Sequence, residues 1–271
     1  MAVSTTPTQD TSIDGSTDVL ETIRSRHRVE RRQITDEQRA LNQFAEKVGA
    51  ISIPTDEQQS IPALTTTSTP SLTAQTGSGL AAVRDAYEST VMSVPHYADE
   101  YGDTYAESVA EEFGPTVGTT LVEGSRFDGQ CRAALLAAVE RALAERTLLL
   151  DALNVEQESI ADVGPDLSSV VADVDSLATV AFDEQDFGGL DAYRARLAVL
   201  SEKCDVAATR RQQAIREQRH DLQLPADAPD IPTYLYRACE PRYPVLSLIA
   251  RVGDTIDRLR RDVETAITTC H

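Results

Sequence analysis

Lysine is nearly absent from this chain. Only Lys47 and Lys203 occur, so 23 of the 25 basic residues are arginine. Against them stand 44 Asp and Glu, for a formal net charge of −19. At ordinary ionic strength that charge works against a compact fold by self-repulsion. At about 1 M salt the Debye length falls to roughly 3 Å and the repulsion is screened. Arginine then serves where a cation is still needed, because its planar fork holds carboxylates bidentately. Acidity alone would fit a low-salt cell. Acidity combined with lysine depletion points to a cytoplasm holding molar salt.

Other absences exclude whole classes. Tryptophan is missing and aromatics make up 5% of the chain, so the 41% apolar content is mostly Ala, Val and Leu. That composition suits helix packing better than a β-sandwich. The longest apolar stretches, such as Ala133 to Val139, fall far short of the roughly 18 residues a membrane span needs. The opening MAVSTTPTQD has neither a basic n-region nor an apolar h-region, so no signal peptide is expected and the location expected is the cytoplasm. The four cysteines, Cys131, Cys204, Cys239 and Cys270, are isolated. A zinc site normally shows paired ligands at short spacing. Cys270 beside His271 is the one Cys/His neighbour pair; small buried thiols are the expectation for the others. There is no Gly-rich phosphate loop, no G-x-S-x-G and no H-E-x-x-H. No cofactor, no metal and no catalytic residue is therefore expected.

What the chain does have is helical periodicity. Residues 1–16 are rich in Thr, Ser and Asp and read as a disordered tail. A helix is expected over 17–48, with Leu20, Ile23, Ile34, Leu41, Phe44 and Val48 on a 3-4 spacing. His27, Glu30 and Glu37 interrupt this coiled-coil-like seam. From 49 to 79 the pattern vanishes, and TTTSTPSLTAQTGSG reads as a flexible Thr/Ser/Pro linker. So long a tether suggests that helix one docks on a partner or a second copy.

The remaining residues, 80–271, are expected to form one helical bundle domain. A helix from about Leu80 should end at Val94, before Pro95. Tyr97, Tyr101, Tyr105, Val109 and Phe113 recur every four residues, as on one helix face ending at Gly114-Pro115. A long helix is expected over Asp128 to Asp162, broken at Gly164-Pro165, with a shorter one from Leu167. Phe187-Gly188-Gly189 reads as a turn. The next stripe runs Leu190, Tyr193, Leu197, Leu200, Cys204, Ala207, Arg211, Ile215 and Leu222, and the last runs Val245, Ile249, Val252, Ile256, Leu259, Val263 and Ile267. The fold class is all-α: a coiled-coil-like N-terminal helix plus an antiparallel bundle of long helices.

Three constellations carry the candidate chemistry. Arg24, Arg28, Arg31, Arg32 and Arg39 fall within about 100° on helix one, away from its apolar seam. They suggest a phosphate track, or an arginine face pairing with acidic helices. Five neutralised phosphates give a salt slope of about −4.5, so going from about 0.15 M to 3 M salt would lose on the order of six decades. Nucleic acid is thereby disfavoured as a partner. The second constellation is His96 with Tyr97, Tyr101 and the carboxylates Asp99, Glu100 and Asp103. It suggests a metal-dependent enzyme centred on His96, but no second histidine stands at helical spacing, and packing of His96 and the tyrosines, with the carboxylates facing water, is the favoured reading. The third is the set of polar intrusions into long seams, His27, Arg146, Gln157 and Arg211. These either fix register or extend their heads to solvent.

The stretch VRDAYESTVMSVPHYADEYGD, Val83 to Asp103, followed by Glu112-Phe113-Gly114, resembles an uncharacterised family of haloarchaeal helical proteins with a VRxAY…VMxVPHY…EY signature. The likeness extends from about Leu80 to the C-terminus. It implies an organism class and assigns no activity to any residue. The function expected is non-enzymatic protein interaction or assembly, with a protein partner or self-association through helix one, and no membrane.

Overall fold

The computed structural model describes residues 16–53, 78–222 and 229–270. Among these residues there are nine α-helices and no strand, so the chain is all-α. The expected tail, the low-complexity part of the linker from 54 to 77 and the Pro-rich stretch at 223–228 lie outside the described residues. The chain clusters into two compact units. One comprises the residues up to Glu30 together with those from Ala152 onward. The other is Arg31–Asp151. This departs from a free helix one followed by a single 80–271 bundle. Helix α1 (Ser16–Ala50) and helix α6 (Gly129–Ala178) each contribute one end to each unit.

In the Arg31–Asp151 unit, the C-terminal part of α1 packs with α2 (Ser78–Glu88), α3 (Tyr97–Glu100), α4 (Tyr105–Phe113), α5 (Pro115–Glu123) and the first part of α6. Leu41, Phe44 and Val48 of α1 are fully buried against Val83, Tyr87, Val109 and Leu135. Phe44 meets Tyr87 edge-on at 5.2 Å and stacks on Phe113 at 5.8 Å. Such pairs add about 0.5–1.5 kcal/mol beyond their area. Ile51 and Ile53, expected to be linker, also pack on this core. The apolar seam of α1 is therefore covered within the chain, because burying that area releases water wherever the cover comes from.

The tyrosine periodicity does not form one helix. Gly102 has φ +65, a conformation that suits glycine. It ends α3 after four residues. Thr104 then restarts the chain as the N-cap of α4, in a reciprocal capping box with Glu107. The helix expected to reach Val94 stops at Glu88, and Val91–Ser93 forms a 3-10 turn. Gly118 of α5 sits so close to α4 that a Cβ would fall 2.7 Å from Ala110 Cα.

In the other unit the early part of α1 and the later part of α6 join α7 (Phe187–Asp221), α8 (Ile231–Leu235) and α9 (Pro244–Thr269). Most of the apolar stripes expected on α7 and α9 is buried, but Tyr193, Ile215, Leu222 and Ile267 are only half-buried. The expected break at Gly164-Pro165 does not occur. Helix α6 runs through Pro165 for 50 residues. A proline crowds the residue before it chiefly through that residue's Cβ, and Gly164 has none. What remains is a lost hydrogen bond, since Ala161 has no N–H at residue 165 to accept from, and crowding of the Pro165 ring against the Ala161 carbonyl. Ile160, Val163, Leu167 and Val170 on either side are buried, and their packing holds the helix together. Phe187-Gly188-Gly189 is likewise not a turn but the first turn of α7, capped by Asp186 Oδ1 on the Gly189 N–H at 2.7 Å.

Candidate functional site

His96 and Tyr101 meet Glu37, Glu112 and Arg146 in a polar cluster within the Arg31–Asp151 unit. Pro95 and the turn before α3 place His96 against α1. His96 Nε2 lies 3.0 Å from Glu37 Oε1. A carboxylate only accepts, so that nitrogen carries the proton. The Tyr101 hydroxyl donates to the same oxygen at 3.0 Å. Arg146 Nε of α6 donates to Glu37 Oε2 at 2.9 Å. The two terminal nitrogens of Arg146 donate to the two oxygens of Glu112 on α4, each at 2.7 Å. One guanidinium thus ties α1, α4 and α6, and His96 adds the α3 turn.

The cluster is half-shielded from water, with side-chain exposures of 17% for Arg146, 13% for Glu37 and 16% for Glu112. Burial disfavours the charged Arg146, but the hydrogen bonds and attraction of Glu112 and Glu37 outweigh it and raise its pKa. Beside the cluster is a cavity of about 280 Å³, lined by Tyr87, Tyr97, Tyr101, Ser108 and the carboxylates Asp103, Glu111 and Glu145. Burial pushes the Tyr97 phenol up, and the Tyr87 phenol further, though the Tyr87–Ser108 hydrogen bond at 2.8 Å acts against this. Burial also pushes Tyr105 up to about 12. None of these phenols is poised to lose a proton near neutrality.

This arrangement binds its own parts together. Glu37 accepts from three groups and Glu112 from both ends of a guanidinium, so a metal would have to displace Arg146. Among the described residues no group of three His, Cys, Asp or Glu side chains could hold a metal ion. The four cysteines are free; burial raises the Cys131 and Cys204 thiols, away from nucleophilic use.

The expected arginine stripe is not one free track. Arg32 and Arg39 both reach Asp36, at 3.8 and 2.8 Å. Arg31 is exposed on the same part of α1, while Arg24 and Arg28 belong to the other unit and line a cavity there. Tyr97 is buried in its unit, and Tyr101 is 50% exposed despite its hydrogen bond.

Of the polar intrusions, His27 and Arg211 are buried, Arg146 is half-buried and Gln157 is exposed. His27 Nε2 lies 2.6 Å from the Leu153 carbonyl and must donate to it. Arg211 is 2% exposed and pairs bidentately with Glu156, itself 1% exposed, at 2.6 and 3.0 Å. Ser159 and Tyr236 complete that pair. Glu156 is the residue that sequence reasoning missed. The seam steps from Leu153 to Ile160 through position 156 or 157, and the buried arginine opposite needed an acid there.

A family model described as a domain of unknown function, DUF7260, matches residues 18–260. The chain belongs to the DUF7260 family. The match covers both units and nearly all of the described helices, so the two buried arginine networks both lie inside the DUF7260 region. No curated protein and no solved structure matches the chain. No helix among the described residues is long and apolar enough to cross a membrane.

Proposed function

We propose that this DUF7260 protein is a non-enzymatic assembly protein of a halophilic archaeon, working in a cytoplasm of molar salt and associating with a second copy of itself. The salt assignment rests on the charge of −19 and the replacement of lysine by arginine. The seam of α1 that first suggests self-association is covered within the chain, so the contact must use another face. The single observation that carries the reading is on α7, where Val199 is 53% and Val206 44% exposed, two turns apart.

Those two valines lie opposite the buried stripe of α7, with exposed Ala192 and Ala195 extending the same strip. Between them stand Glu202 and Lys203, both exposed. An antiparallel α7 pair about a two-fold axis between residues 202 and 203 sets Val199 against Val206 of the second copy. It sets Glu202 against Lys203 of the second copy at the same time. A two-fold contact repeats each pairing twice. Molar salt weakens the ion pairs and leaves the apolar contact, as the environment requires.

Light scattering in molar KCl tests this. The wild type should be a dimer, and Val199→Glu with Val206→Glu a folded monomer. A wild-type monomer at every concentration tested would end the reading.

A further inference from the structure

A second cavity, in the unit built from the ends of the chain, is unlike the first. Its volume is about 430 Å³, and Arg24, His27, Arg28, Gln157, Ile160 and Pro165 line it. That size lies within the usual range of small-molecule sites, roughly 300–1,000 Å³. Among the described residues no carboxylate lines it, in a chain that has 44. Several other arginines meet acids: Arg32 and Arg39 share Asp36, Arg146 takes two glutamates and Arg211 takes Glu156. Arg24 and Arg28 have no ion pair among the described residues.

The two guanidinium groups are one helical turn apart on α1, the spacing at which neighbours can close on one anion. His27 between them is 4% exposed, and its bond to the Leu153 carbonyl holds this turn of α1 on α6. At Pro165, which also lines the cavity, the α6 hydrogen-bond ladder lacks a rung. Pro165 leaves the Ala161 carbonyl without its ordinary donor, and Ala161 also lines the cavity. Arg24 reaches to this point: its terminal nitrogen is 3.5 Å from where a Cβ on Gly164 would stand. The remaining wall is apolar, from Ile160 and the Pro165 ring.

We propose that this cavity binds an amphiphilic organic anion, with its oxyanion headgroup between Arg24 and Arg28 and its apolar body on Ile160 and Pro165. Exposed arginines alone would lose a simple anion to screening in molar salt. The apolar body supplies the part of the binding that salt does not weaken. Two headgroups share this chemistry, a carboxylate and a phosphate monoester.

Calorimetry on the whole chain in molar KCl decides it, with octanoate, octyl phosphate, octanol and inorganic phosphate as probes. One or both octyl anions should bind saturably, and the tighter one identifies the headgroup. Arg24→Gln with Arg28→Gln should weaken that binding by roughly tenfold or more, the factor that 1.4 kcal/mol represents. Ala161→Leu adds bulk to the cavity wall without replacing either arginine and should weaken the binding too, with circular dichroism reporting that both variants remain helical. The proposal is overturned if neither octyl anion binds, if octanol binds as tightly as the anions, if inorganic phosphate matches octyl phosphate, or if the arginine variant binds unchanged. The α7 variant Val199→Glu with Val206→Glu should bind like wild type, so this site and the assembly face stand or fall separately.

Discussion

Each unit ties an arginine to glutamate, and the two do so differently. Arg211 and Glu156 are almost wholly removed from water, at 2% and 1% exposure. They form a neutral one-to-one pair whose hydrogen bonds are completed by Ser159 and Tyr236. Arg146 is 17% exposed and serves two glutamates, with His96 and Tyr101 on the far side of Glu37. A deep charge has to be matched by its counter-charge, because the several-kcal/mol desolvation cost of each ion has no water to offset it. A half-wet cluster can carry an unequal count, since solvent supplies part of the balance. The first pair therefore behaves as a core element and the second as a strap across several helices.

The largest effects should come from unbalancing the deep pair. Arg211→Met or Glu156→Gln alone should lower the unfolding free energy by about 3–5 kcal/mol, by stranding a charge or its donors. Arg211→Met with Glu156→Leu should recover most or all of it. Denaturant unfolding in molar KCl measures all three, and a double variant as weak as either single one would mean that the pair itself stabilises the unit. Arg146→Gln should cost less, about 2 kcal/mol, as charge-assisted bonds are lost where water can reach the abandoned carboxylates. Equal losses at Arg146 and Arg211 would erase the distinction between the units.

The mildest case is the exposed capping box of α4. Thr104→Ala should cost about 1 kcal/mol. The Thr104 hydroxyl, and then its N–H, hold the Glu107 carboxyl below the ordinary carboxylate range. Its folded pKa is thus below its unfolded one. That contribution is present at neutral pH and is lost as pH falls through the folded value. Removing the Thr104 hydroxyl should flatten this acid dependence, which unfolding curves taken down through the carboxylate range would show.

Much of the architecture was legible in the chain. The seams of α1, α7 and α9 are buried where the 3-4 spacing places them, because a helix can hide only one face. Arg211 and His27 stood out as polar residues on apolar stripes, and both are buried and bonded. The boundaries failed where a local signal met a tertiary one. Pro165 reads as a break, yet glycine before it and buried neighbours on both sides keep α6 whole. The tyrosine repeat reads as one helix, yet Gly102 and the Thr104 cap divide it. His96 stood out as a metal or acid–base candidate, and in the structure it bonds to Glu37, a partner 59 residues away that no spacing rule connects to it.

The sequence by itself determined the helical class, the acidic arginine-for-lysine surface and the residues that face inward, since these follow from composition and from a period of 3.6. Only the tertiary structure decided that α1 is covered within the chain, that its arginines divide between Asp36 and an unmatched cavity, and which glutamate meets which arginine. Those outcomes depend on contacts between residues far apart in the chain, and a helical period carries no information about which face will meet which.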